Sequence, residues 1–262
     1  MTSAILRGLT LAGAAAMLLA GCGQPPDQFI IIQNQVPEAG CVIPTTLGSV
    51  YRSTGVIDVA VVPTGATIGY EIFPLLQNNL PPPSGGQQGD PNRIALSGYD
   101  VDVSPMDDAP AAILDLFSTL QTSGTDGMPD QLIKYSEPTS GSVASGGGNT
   151  SSGVNGLPGA LARKIHDAGV FQAGAAPFHV EATIRAVGRT TIKQYTSDAF
   201  HFPILVCSGC LIANAVDGRV PACPTSSAAN QGNECNVAQD QVVDCCTTNS
   251  GELLCPPTVT SR

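Results

Sequence analysis

The chain is 262 residues long and has a formal net charge of −10, from 11 Lys and Arg against 21 Asp and Glu. So acidic a chain excludes non-specific binding to nucleic acid, where phosphate contacts require Lys and Arg. Only 12% of residues are charged, about half the roughly 25% of an ordinary soluble domain, while 42% are hydrophobic and can fill a core.

The N-terminus carries one positive charge, Arg7, followed by an apolar run from Gly8 to Gly21. That run is shorter than the ~20 residues of a membrane span and reads as a signal peptide over residues 1–21. It ends in Leu19-Ala20-Gly21-Cys22, with Leu three positions before the cysteine and small residues between. These four residues resemble the lipobox of bacterial lipoproteins. The resemblance implies cleavage before Cys22, lipidation of its sulfur with diacylglycerol, and usually an N-acyl chain. Cofactors are otherwise not expected. Gly23, where Asp would signal retention in many diderm lipoproteins, implies transfer to the outer membrane. Two or three acyl chains anchor stably where one is marginal. An acidic body is repelled by anionic lipid, so the acyl chains must do the holding. A tether over residues 22–28 reaches at most about 25 Å, at ~3.3–3.6 Å per residue. It leads from Cys22 to the apolar run at Phe29, which keeps the body near the bilayer.

Strand signals follow in a series over residues 29–206. Phe29–Ile32 opens it. Over Val56–Val61, alternation puts Ile57, Val59 and Val61 on one face and Asp58 on the other. Thr67–Leu76 alternates Ile68, Tyr70 and Ile72 against Gly69, Glu71 and Phe73. In Arg93–Val103, Ile94 and Leu96 are out of phase with Tyr99, Val101 and Val103, and a β-bulge at Ser97-Gly98 absorbs the slip. Phe178–Val187 turns Val180, Ala182, Ile184 and Ala186 inward and His179, Glu181, Thr183 and Arg185 outward. Ala199–Cys207 aligns Phe200, Phe202, Ile204 and Val206. Short alternating strands between Pro, Gly and Asn loops predict a mostly β fold. The expected form is an antiparallel sandwich, Ig-like or jelly-roll-like.

One or two short helices are expected. Asp107–Leu120 has acidic residues in its first turn and an apolar stripe, although it could equally be another strand after Pro110, and Leu157–Ala168 places Leu161 and Ile165 at i, i+4 spacing. Leu80–Asn92 reads as a long hairpin connection. Ser140–Gly156, rich in Gly and Ser, reads as a flexible surface loop without the pattern of a phosphate cradle.

Residues 207–262 change composition: they hold seven Cys and no Phe, Tyr or Trp. A segment without aromatics buries little apolar area, so disulfides are expected to supply its order. With Cys22 lipidated, the remaining eight are Cys41, Cys207, Cys210, Cys223, Cys235, Cys245, Cys246 and Cys255. Seven in the tail is an odd number, so complete pairing requires Cys41 to bond to a tail cysteine. Adjacent Cys245 and Cys246 should take different partners. Cys207 and Cys210 could close on each other or part. The C-x-x-C spacing is also half of a zinc-ribbon site, but the second half is missing and an oxidising compartment favours disulfides. A redox-active pair would need a βαβ context that nothing here indicates.

No G-x-S-x-G elbow and no H-E-x-x-H occurs. His166 stands beside Asp167 in the second helical segment and should face solvent. His179 and Glu181 share one strand face, and Asp198 and His201 flank another strand. If these strands are neighbours, the four could converge as a metal or acid–base cluster, although a solvated sheet face normally carries such residues. Asp100 with Asp102, Asp107 with Asp108, and Asp126 with Asp130 could line a calcium loop, but none has EF-hand spacing. The favoured reading is a non-enzymatic outer-membrane lipoprotein. It touches the bilayer through acylated Cys22 and binds or scaffolds an envelope protein or glycan. The alternatives are a carbohydrate- or calcium-binding envelope module and an envelope metalloenzyme built on the His/carboxylate cluster.

Overall fold

The computed structural model describes residues 28–62, 69–85, 89–124, 130–172, 175–213, 215, 220–222, 232–233, 235–248 and 253–255. The expected signal peptide, Cys22 and its tether up to residue 27 lie outside the described residues, as do Ile68, Asp126 and Cys223. In chain order the strands begin with β1 (Phe29–Gln35), β2 (Tyr51–Arg52), β3 (Gly55–Asp58), β4 (Tyr70–Ile72), β5 (Pro74–Asn78) and β6 (Ile94–Pro105). Helix α1 (Ala111–Ser123) precedes β7 (Lys134–Pro138), β8 (Ser142–Val143), β9 (Gly148–Ser151) and β10 (Val154–Leu157). Helix α2 (Gly159–Asp167) leads to β11 (Phe178–Arg189), β12 (Gln194–Thr196) and β13 (Phe200–Cys207), then β14 (Cys246–Thr247) and β15 (Leu253–Leu254). The protein is a mostly β sandwich with two short helices and disulfides near its C-terminal end.

One layer runs β3-β13-β11-β6-β7, with β12 paired to β11 and β8 to β6. Its pairings are antiparallel except β3 with β13, which is parallel. Alternation decides which side is buried. Val180, Ala182, Ile184 and Ala186 of β11 are sealed from solvent, as are Phe202, Ile204 and Val206 of β13. The bulge falls where the phase slips: Val187 pairs with Gly98 and Gly188 with Leu96, so Ser97 is skipped. Gly98 is required there, because a Cβ would meet the Glu137 carbonyl.

The facing layer is one bent ribbon pair. β5 lies between β1 and β9 in a four-stranded sheet, while β4 pairs with β10. β4 runs into β5, and β9 into β10, across breaks at Phe73 and at Ser152-Gly153. The single strand expected here is therefore, over the described residues, two: β4 and β5. Pro74 brings no N–H to the bend, and Asn34 Oδ1 accepts the Phe73 N–H at 2.8 Å. Tyr70 of β4 packs on Phe202 of β13 with ring centroids 5.7 Å apart, joining the layers.

The stretch expected to be a flexible loop, Ser140–Gly156, instead contains β8, β9 and all but the last residue of β10. Its glycines serve close packing. A Cβ at Gly148 would meet the Ala144 carbonyl, one at Gly153 the Glu71 carboxylate, and one at Gly156 the Ile72 side chain. Both helices start directly after a proline, Pro110 and Pro158. Its fixed φ and missing N–H suit a helix start. Asp107 and Asp108 thus lie outside the first turn of α1, contrary to expectation. Helix α2 buries Leu161 and Ile165.

The ribbon's two edges are tied to the edges of the large sheet, at one side by side chains and at the other by the tail's backbone and side chains. At one side, Glu137 of β7 accepts the Asn155 N–H of β10 at 2.9 Å, and the Tyr135 hydroxyl donates to the Asn155 carbonyl. At the other side the cysteine-rich tail fills the seam between β3 and β4. Asp58 N–H donates to the Ala238 carbonyl at 2.9 Å and Asp240 N–H to the Val56 carbonyl at 3.0 Å. The Gln239 side chain accepts the Glu71 N–H at 2.8 Å and donates to the Glu71 carbonyl at 3.1 Å, standing in for a strand partner. Val237, Ala238, Val243 and Cys245 belong to the one hydrophobic core. The tail is thus ordered by burial as well as by bridges, which the absence of aromatics did not foretell. No helix among the described residues is long and apolar enough to cross a membrane.

Candidate functional site

The outward face of the large sheet carries its polar residues in register. Thr183 of β11 is opposite Asp102 of β6, and Arg185 opposite Asp100. On the far side of β6, Lys134 of β7 is opposite Asp102 and Ser136 opposite Asp100. Together with Asp130 and the C-terminal end of α1, these residues line an open cleft of about 1090 Å³. Lys134 Nζ lies 3.5 Å from Asp102 Oδ2, and the Ser136 hydroxyl donates to Asp100 Oδ1 at 2.6 Å. Asp130 Oδ1 accepts the Leu132 N–H at 2.9 Å. Each carboxylate already has a partner inside the protein, which leaves a mixed-charge surface suited to polar groups rather than a cage for calcium. Tyr135 is the one aromatic residue lining the cleft. Its hydroxyl points away, to the Asn155 carbonyl, so the ring offers no free platform for a sugar.

Two of the three histidines, His179 and His201, sit on the same face, beyond the cleft. His179 Nδ1 donates to Asp108 Oδ2 at 2.6 Å, and its backbone N–H to Asp108 Oδ1 at 2.9 Å. The His179 side chain is the main reason that the Asp108 carboxyl is held below its ordinary range. Separately, His201 Nδ1 donates to Glu181 Oε1 at 2.9 Å. These are two independent His–carboxylate pairs. In the register, His201 lies opposite Thr183 and His179 opposite Leu205. The two histidines are therefore offset by four residues, roughly 13 Å along the strand, too far for one metal. Asp198 is exposed in the turn before β13. Glu181 and His201 do meet, whereas His179 is drawn to Asp108, the residue that the calcium-loop pattern groups with Asp107. His166 lies beside Asp167 on α2, with Nδ1 and Oδ1 3.2 Å apart.

The only His/Cys/Asp/Glu trio within mutual ligand reach among the described residues is Asp58, Cys207 and Cys210. Here the alternation misled. Asp58 does not face solvent; it is fully buried and accepts N–H groups from Ala60 at 3.0 Å, Gly209 at 2.7 Å and Leu211 at 2.9 Å. Burial pushes its carboxyl above the ordinary range, against the pull of those bonds. Cys207 and Cys210 are bonded to each other, so neither sulfur is a free thiolate ligand. Further bridges join Cys41 to Cys235 and Cys245 to Cys255, and Cys246 is also disulfide-bonded.

Two more acids stand along the seams, Asp240 with its side chain 5% exposed and Glu71 half-buried. Asp240 accepts the Tyr70 hydroxyl at 2.9 Å and the Val56 N–H at 2.9 Å, with Arg52 Nε at 3.5 Å. Its carboxyl is raised by burial. Glu71 is pushed up to about 7, first by burial and then by the charge of Glu137. Their positions along the two seams mark these acids as parts of the framework. No known protein family matches the chain, and neither a curated protein nor a solved structure matches it.

Proposed function

We propose that this protein is a lipid-anchored envelope protein that acts by binding or scaffolding and carries out no catalysis. The observation that carries the reading is the Leu19-Ala20-Gly21-Cys22 lipobox, with the fold beginning at Phe29, seven positions after Cys22. Acyl chains on Cys22 would hold the sandwich close to the bilayer, and Gly23 points to the outer membrane. The mixed-charge cleft over β6, β7 and β11 is the surface offered to an envelope protein or glycan.

A non-catalytic role is supported by where the histidines are. In the Glu181–His201 pair the side chains are 28% and 58% exposed, and in the Asp108–His179 pair 45% and 39%. At such exposure the solvent screens the charges that an acid–base site would exploit. The test is labelling in cells with a fatty-acid probe. Wild-type protein should take up the probe, and Cys22→Ala should lose it and accumulate the uncleaved precursor. Equal labelling of the variant would overturn the reading.

A further inference from the structure

We propose that Cys207–Cys210 is an exchangeable redox pair, with Cys210 the sulfur attacked by an external dithiol and Cys207 the buried leaving sulfur. The inference does not depend on the anchoring or binding role. It rests on the asymmetry of the pair and on what lies beneath it. Cys207 ends β13 and is 1% exposed, while Ser208, Gly209 and Cys210 are exposed. Gly209, at φ +79°, makes the left-handed turn that brings Cys210 back over Cys207. An incoming thiolate therefore reaches one sulfur and not the other.

Asp58 is the register partner of Cys207 in the parallel β3–β13 pairing. Its carboxylate oxygen and the two sulfurs lie within 4.8 Å of one another. A buried thiolate is a poor leaving group unless a proton is at hand. The Asp58 carboxyl, within 4.8 Å of both sulfurs, is the group placed to pass that proton. Burial raises that carboxyl, and the charge of His166 on α2 acts in the opposite direction. After the transfer, the Asp58 carboxylate remains held by the N–H groups of Ala60, Gly209 and Leu211. The reduced Cys207 thiol also finds an acceptor, because its sulfur lies 3.4 Å from the Ile57 carbonyl oxygen. Both redox states are thus provided with partners.

The steps balance with a dithiol as co-reactant. Its thiolate attacks Cys210 Sγ, forming a mixed disulfide. The Cys207–Cys210 bond breaks, its electron pair goes to Cys207 Sγ, and Asp58 gives that sulfur a proton. The second thiol of the reductant loses its proton to solvent and attacks its own sulfur in the mixed disulfide, expelling Cys210 as a thiolate that is protonated by water. Asp58 then recovers a proton from solvent, so that the protein gains two electrons and two protons in all, while the dithiol, its two protons given up to solvent, leaves as a disulfide. Reversal would make the protein an oxidant of dithiols. Opening this bridge leaves the fold in place, since its cysteines are three positions apart whereas Cys41 and Cys235 are separated by 194.

The test treats the full-length native protein with dithiothreitol, without denaturant, followed by alkylation and peptide mapping. Cys207 and Cys210 should be reduced at least tenfold faster than Cys41–Cys235 and Cys245–Cys255. Asp58→Asn should slow that step several-fold and shift the midpoint potential of the pair. Should Asp58→Asn fail to fold, single cysteine variants decide. Cys207→Ser should form a mixed disulfide with glutathione disulfide at Cys210, and Cys210→Ser should leave Cys207 unmodified. Reduction of Cys207–Cys210 no faster than the other bridges, or equal capture of glutathione by both variants, would overturn the proposal.

Discussion

Cys41 and Cys235, 194 positions apart, are joined by a disulfide that brings their Cα atoms to 5.1 Å. The bridge fastens the turn after β1 to the segment that fills the seam between β3 and β4. Cys41 takes a left-handed φ of 58° to make the connection. Parity had required a tail partner for Cys41, but only the fold selects Cys235 among seven.

The span of that bridge predicts its weight. In the chain-entropy description, closing a loop of 194 positions stabilises by about 5 kcal/mol, against about 3 kcal/mol for the 10 positions between Cys245 and Cys255. Replacing Cys41 and Cys235 together by Ser should therefore lower the melting temperature more than replacing Cys245 and Cys255. The expected gap is about 4–8 °C for a chain of this size. Coincident thermal melts of the two purified double variants would show that the long bridge does not constrain the fold.

Stability should fall as the pH rises from about 4.5 through about 7. Glu71 has its folded value raised to about 7 from an ordinary 4.5. Folded protein therefore holds this proton where unfolded protein has lost it. The contribution is complete below about pH 4.5 and disappears as pH rises through about 7. Asp58 and Asp240 are raised as well and act with the same sign. Glu71→Gln should flatten the fall, with a gain over wild type above pH ~7.5 of at most about 3 kcal/mol. Melting curves of the two proteins at several pH values check this, and parallel decline would refute it.

Asp58→Ala should cost about 3 kcal/mol or more, because three backbone N–H groups lose their acceptor at once. Replacing Lys134 or Arg185 in the cleft by Ala should change stability by less than about 1 kcal/mol, since surface ion pairs contribute little. Denaturant titrations of these variants separate the framework carboxylate from cleft residues that are free to serve a ligand. A cleft variant that unfolds like Asp58→Ala would assign the cleft to the framework.

Several features were legible in the sequence because each depends on neighbours in the chain. Alternation in Phe178–Val187 is local, and so is the phase slip at Ser97. The helix around Leu161 and Ile165 also announced itself by spacing. Asp58 was misread for the opposite reason. Its N–H donors include Gly209 and Leu211, more than 150 positions away, and alternation has no knowledge of such partners. The Gly- and Ser-rich stretch was misread because composition reports backbone freedom but not the close approach of Ala144, Glu71 and Ile72. The His179–Asp108 pair has a partial signal, since Asp108 lies three residues beyond the end of β6, whose Pro105 is paired with Val180. Only a known register would have turned that into a contact.

The anchoring of the mature chain is tested most directly by the mass of its N-terminal peptide, taken from protein extracted from bacterial membranes with detergent. The account predicts a peptide that begins at Cys22 and carries diacylglycerol, with or without a further acyl chain on the new amino group. An unmodified Cys22, or a mature chain that begins elsewhere and is recovered without detergent, would contradict it.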